Sequence, residues 1–175
     1  MSYVEQLSGG HPNSLGNTVA VVDEVLAHPD RLEELYGCYF ADDATVRLRT
    51  SNAMKRIAEA RHELLLPYLN RLLNEVSLIE QASAQWTLAQ LLLLYTDDLS
   101  EEQLAVAKQK LKQNLEQSTD WLVLILTATT LAEWAAADQD LNDWVIPQLL
   151  ALELDPRKAV SRRAGKLLRQ LIPTY

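Results

Sequence analysis

The residue types able to do chemistry are few in this 175-residue chain, and their spacing does not pair them for it. The three histidines, His11, His28 and His62, each fall at an expected loop or helix end. None has a second His or Cys at metal-ligand spacing, so no zinc site follows. His28 and His62 are expected to interact with helix ends. Cys38 stands alone beside Tyr39 and Phe40. A thiol nucleophile needs a base and an oxyanion site, and its neighbours supply neither. Cys38 therefore reads as a small buried apolar residue. Carboxylates group at Asp97, Asp98, Glu101 and Glu102, and again at Asp138, Asp140 and Asp143. Neither group has the glycine-centred twelve-residue loop of a calcium site. Glu101 and Glu102 belong to the first turn of a capped helix, where the helix dipole favours acids, and the second group reads the same way. No glycine-rich phosphate loop and no G-x-S-x-G elbow occurs. The sequence therefore predicts no catalytic residue, no metal and no cofactor.

Cations do group. Residues 155–175 hold Arg157, Lys158, Arg162, Arg163, Lys166 and Arg169 against Asp155 alone. That local +5 sits in a chain of net charge −8, so residues 1–154 carry −13. Lys158, Arg162, Lys166 and Arg169 follow at spacings of four, four and three, which puts them on one helix face. Val160, Ala164, Leu167, Leu168 and Leu171 fall on the other. These six cations are the candidate partner-binding residues, as a docking strip for an acidic protein surface or for phosphates. A polar outer face is also what a terminal helical repeat needs to stay soluble. Arg47, Arg49, Lys55, Arg56 and Arg61 form a second basic cluster.

The elements that must position these residues read as helices throughout. Hydrophobic residues make up 48% and charged residues 23%, ordinary for a globular chain. Phe occurs once and β-branched runs are scarce, which argues against a sheet. Residues 1–13 read as a mobile leader ending in the loop signal Gly9-Gly10-His11-Pro12-Asn13. Residues 14–175 read as one helical domain without a dividing linker. A first helix is expected over 14–27, with Leu15, Val19, Val22 and Leu26 inward. A second is expected over 30–41, and a third over 44–60 capped by Asp42 or Asp43. A fourth carries Leu66, Leu69, Leu72, Leu73 and Val76, with Pro67 in its first turn. The fifth covers about 79–95. Ser100 and Gln103 form a capping box for the sixth, 101–116. The seventh runs 121–137 after Asp120, the eighth 141–153, and the ninth opens at Asp155-Pro156. Trp86, Trp121, Trp134 and Trp144 are read as packing residues.

Val46, Ala84, Leu122 and Val160 recur every 38 residues, and apolar or small residues follow four, seven and eight positions later in each row. The third row is the weakest. A period of this length holds two helices and two short loops, and stacking such pairs buries a continuous core.

"DDATVRLRTSNAMKRI", followed by "ELLLPYLNRLLNEV", resembles HEAT repeats, and "NDWVIPQLLALELDPRKAV" resembles their repeat junction. The order of segments over residues 14–172 is similar to that of small bacterial HEAT-repeat proteins of unknown function. The resemblance implies an all-α, right-handed α-α superhelix of about nine helices. It also implies an Arg at one site of successive first helices, and here that site holds Arg47, Gln85, Val123 and Ser161. A polar ladder is therefore not expected along the whole stack.

The function this predicts is a non-enzymatic protein–protein interaction scaffold or adaptor. The alternatives among HEAT-like proteins are nucleic-acid binding with DNA-lesion processing, and bilin lyase or chaperone action. The −13 over residues 1–154 opposes the nucleic-acid alternative. One cysteine allows no internal disulfide and fits a reducing cytoplasm. The longest apolar run, 121–126, is far short of the ~20 residues of a membrane span.

Overall fold

Asp43 opens the best-specified helix of the chain. Its carboxylate accepts from the Thr45 N–H at 2.7 Å, and the helix runs Ala44–Ala60 (α4). Val46, Thr50, Ala53, Met54 and Ile57 are buried along it, as their spacing requires. In the computed structural model, which describes residues 1–11, 14–172 and 174, all other regular elements are also helical, with no strand among the described residues. The fold class is all-α.

The chain forms two compact units, Met1–Leu91 and Leu92–Tyr175. The first contains α1 (Tyr3–Leu7), α2 (Thr18–Ala27), α3 (Leu32–Gly37), α4, α5 (Leu69–Asn74) and most of α6 (Ala82–Leu94). The second contains α7 (Glu101–Gln117), α8 (Trp121–Ala135), α9 (Gln139–Glu153) and α10 (Lys158–Leu171). Within it α7 packs on α8, α8 on α9, and α10 on both α8 and α9.

Two of the expected helices are broken into short pieces. The second becomes a 3-10 turn at Pro29–Arg31, then α3, then a 3-10 turn at Cys38–Phe40. Its inward residues Leu32, Leu35, Tyr36 and Tyr39 are nevertheless all buried. The fourth becomes 3-10 over His62–Tyr68, then α5, then 3-10 over Val76–Leu78. Pro67 lies inside the first of these pieces, not in the first turn of an α-helix. Tighter winding turns the apolar face by one residue, so Leu65 is buried and Leu66 is 39% exposed. Pro156 precedes the cap of α10 instead of opening the helix, because Arg157 holds the cap position.

The 38-residue spacing is visible, with small shifts, in the starts of four helices. α4, α6, α8 and α10 start at Ala44, Ala82, Trp121 and Lys158, which are 38, 39 and 37 residues apart. The start of α8 is thus displaced by one residue. Aligned on helix starts, the third position reads Val46, Ala84, Val123 and Val160, each at most 1% exposed. The seventh reads Thr50, Leu88, Thr127 and Ala164, again at most 1%. This displacement accounts for the weak third row of the strict 38-residue alignment, where Leu122 and Leu126 take the places of Val123 and Thr127.

Of the segment expected to be a mobile leader, the described residues 1–11 include a helix, α1. Ser2 and Glu5 make a reciprocal capping box that starts α1, and Tyr3 and Leu7 are fully buried. Tyr3 N–H donates to Glu34 at 2.9 Å, and the Arg31 guanidinium lies 4.2 Å above the Tyr3 ring. The loop after α1 is gathered around Arg49, a residue of α4 that is 2% exposed. Arg49 Nη1 donates to Leu7 O and Gly9 O at 2.7 Å each and to Ser8 O at 3.4 Å. Its Nη2 donates to His11 O at 3.2 Å and its Nε to Ser14 O at 3.1 Å. Two of these carbonyls, Leu7 and Ser8, belong to the C-terminal end of α1, which leaves such groups without helical partners. Gly9, Gly10 and Gly16 take positive φ (71°, 72° and 52°) to turn the loop around the guanidinium. Residues 12 and 13 of this loop lie outside the described residues.

The same wrapping sets the register of α2. Gly16 lies against Arg49, so the helix cannot begin at residue 14 and starts at Thr18. Thr18, Val21, Val22 and Val25 form the buried face, and Leu15 and Val19 are exposed at 43% and 46%.

Arg49→Met removes a charged donor set and orphans buried carbonyls, and is expected to cost about 3 kcal/mol or more in urea unfolding. Gly9→Ala is expected to cost about 1 kcal/mol for a left-handed non-glycine. Gly16→Ala should cost roughly twice that or more, because its Cβ would also lie 2.8 Å from Arg49 Cζ.

Candidate partner-binding site

α10 divides its residues as the sequence predicts, except that Leu171 is only half-buried. Val160, Ala164, Leu167 and Leu168 are buried at 0–1% exposure, and Arg157, Lys158, Arg162, Lys166 and Arg169 are exposed. Arg163 is half-buried. The helix is anchored at its start by Arg157, whose Nη1 donates to Thr119 O at 2.6 Å, beside the start of α8. Arg157 also chelates Asp155 through Nε at 2.8 Å and Nη2 at 2.7 Å. That guanidinium, together with the Arg157 N–H, holds the Asp155 carboxyl down at about 2. Arg157 is therefore structural, and the strip offered to a partner is Lys158, Arg162, Lys166 and Arg169. Among the described residues no ion pair engages Lys158, Arg162 or Lys166. Lys158 also opens the helix without an acid in the first turn, against the helix dipole. Helix stability therefore does not account for its placement. Buried Gly165 brings Glu153 and Arg169 together, with Oε1 and Nη1 at 2.8 Å and 3.5 Å from where its Cβ would stand.

The second basic cluster does not assemble into a site. Arg47 donates to the carbonyls of Ala41 and Asp42 and to Gln81 Oε1, at 2.6–2.9 Å. Arg49 is in its carbonyl cage. Lys55 pairs with Glu59, Arg56 bonds Asn52, and Arg61 pairs with Glu63. Each is occupied locally.

The acids at Asp97 and Asp98 lie in a 3-10 turn, and Glu101 and Glu102 in the first turn of α7 behind the Ser100–Gln103 capping box. Asp138 caps α9 by accepting from Leu141 N–H at 3.0 Å, and Lys108 at 2.7 Å holds its carboxyl below the usual range. Cys38 is buried, donates weakly to Glu34 O at 3.4 Å, and is pushed up to about 11 by burial.

Three further groupings escaped the sequence. In the first unit, Arg71 lies 4.0 Å over the Tyr36 ring and pairs with Glu33 at 2.8 Å and Glu75 at 3.3 Å. Tyr36 and Tyr68 donate to Glu75 and Glu33 at 3.1 Å and 3.0 Å. Every polar group of this cluster faces another, and it clamps α3 to α5. In the second unit, a groove of about 530 Å³ runs along α7 past Leu104, Ala105, Lys108 and Lys112. Its cations are engaged, Lys108 by Asp138 and Lys112 by the Trp144 ring at 4.8 Å. The third set is three exposed apolar side chains, Trp121 on α8 (45%), Leu150 on α9 (40%) and Leu154 just after it (85%). Trp121, expected to be a packing residue, is exposed at the first position of α8. That position was the signal available in the sequence.

The chain matches no family model, no curated protein and no solved structure. Among the described residues no helix is long and apolar enough to cross a membrane.

The Asp155 carboxyl should titrate by NMR with a midpoint near 2. Arg157→Gln should return it toward its ordinary value of 3.8. A folded-state value below the unfolded one stabilises above the unfolded value, and this contribution is lost as pH falls from about 4 through 2. Cys38 should react with a thiol reagent at pH 8 only slowly in the native protein, and rapidly in denaturant.

Proposed function

We propose that this protein is a non-enzymatic interaction scaffold, a short right-handed α-α superhelix of HEAT-like repeats, with α10 as its docking strip for an acidic protein surface. The observation that carries the reading is the split of α10 into a buried apolar face and an exposed face of Lys158, Arg162, Lys166 and Arg169. The recurrence of helix starts at 38, 39 and 37 residues supports the repeat part of it. Charges arranged this way govern partner choice and association rate more than raw affinity. They act over about one Debye length, roughly 8–10 Å at cellular ionic strength.

The test is affinity capture from native lysate with mass spectrometry, comparing wild type with Arg162→Glu/Lys166→Glu/Arg169→Glu. All three residues are exposed, so the melting temperature should hold within a few degrees. A defined acidic partner should be retained by wild type, depleted at least about tenfold by the variant, and released by salt. Equal capture by both proteins would reduce the strip to a solubilising face.

A further inference from the structure

Building on the scaffold reading of α10, we infer that the cationic strip is one half of a larger surface whose other half is the apolar corner of Trp121, Leu150 and Leu154, and that the whole takes an amphipathic acidic segment of a partner protein. α8 and α9 pack together through a connection of only three residues, 136–138, so the first turn of α8 lies beside the last turn of α9. The bond from Arg157 Nη1 to Thr119 O then brings the start of α10 to the same corner. Trp121 is two residues beyond Thr119, and Leu154 is three residues before Arg157. Lys158 follows directly, and Arg162, Lys166 and Arg169 continue away from the corner over about 16 Å of helix.

α9 already has a complete inward row in Leu141, Val145 and Leu149, each at most 2% exposed. Leu150 and Leu154 form a second row, one turn apart, pointing away from it. A single exposed leucine is ordinary. Two leucines and a tryptophan gathered at one end of a row of cations form a mixed surface with a direction.

That mixture selects the occupant. A phosphate backbone would match the cations and leave Leu150 and Leu154 wet. A purely acidic surface would do the same. A segment of three to four helical turns, with apolar side chains at one end and carboxylates one turn apart along the rest, covers both halves. Its carboxylates would meet cations at matching spacings of four, four and three residues.

The probe is a fluorescein-labelled 16-residue peptide with that arrangement. Its controls are a scrambled peptide of the same composition and a single-stranded oligonucleotide of equal charge, all read by anisotropy. Wild type should bind the patterned peptide at least about tenfold more tightly than either control. Leu154→Gln, which adds no charge, and Arg162→Glu/Lys166→Glu should each weaken it by about tenfold or more. Equal binding of the scrambled peptide or the oligonucleotide would overturn the inference. A strip variant that abolishes binding while Leu154→Gln does not would overturn the corner and leave the scaffold reading standing. An unaffected strip variant would sink both. Concentration-dependent self-association in sedimentation, lost in Leu154→Gln, would give the corner to a second copy and overturn the proposal. Thermal melts of both variants confirm that they remain folded.

Discussion

A guanidinium buried without a carboxylate must find its hydrogen bonds elsewhere, and Arg49 finds them on five backbone carbonyls between Leu7 and Ser14. Taking such a charge out of water costs several kcal/mol, and only a nearly complete set of acceptors offsets it. The loop must therefore wrap closely, and positive φ at Gly9, Gly10 and Gly16 makes this possible. From that wrapping follow the seating of α1, the burial of Tyr3 and Leu7, and the register of α2. The charge on α4 thus organises the first unit as much as its apolar residues do.

Much of the helical framework was legible because its signals are local. Asp43, Ser100 and Asp120 each cap the helix expected of them, and α4 keeps its expected bounds. The errors arose where tertiary demands override local pattern. Leu15 and Val19 have helical spacing, but the carbonyl cage delays the helix start and turns a different face inward. Around Pro67 the α-helical ladder is interrupted and the chain winds as 3-10, with Leu65 and not Leu66 in the core. The strict 38-residue period blurred at α8 because one residue moved from one connection to the next. Arg49 looked like a member of a basic cluster because nothing in a sequence says that a cation will be satisfied by carbonyls 35 to 42 residues earlier.

The candidate site was half legible for the same reason. Spacing alone places Lys158, Arg162, Lys166 and Arg169 on one face, since a helix converts sequence into direction. It does not show that Arg157 is spent on Asp155 and Thr119, because the second of those contacts spans two helices. Nor does it show that Trp121 and Leu154 stay exposed. The Arg71 cluster was equally hidden, since Glu33 and Tyr36 meet it only after α3 and α5 are packed.

Several side-chain ties within the units have similar lengths. Arg71 to Glu33, Trp134 to Thr96 and Arg157 to Thr119 all join residues 38 apart, and Tyr36 to Glu75 joins residues 39 apart. The Arg49 ties, at 35 to 42, fall in the same range. Each therefore closes a chain loop of similar entropy, and even doubling such a loop costs only about 0.6 kcal/mol more. Kinetically, the segment around α1 is on the same footing as these other ties. Its docking closes loops of similar length to those ties, and so pays a similar entropic cost before its contacts form.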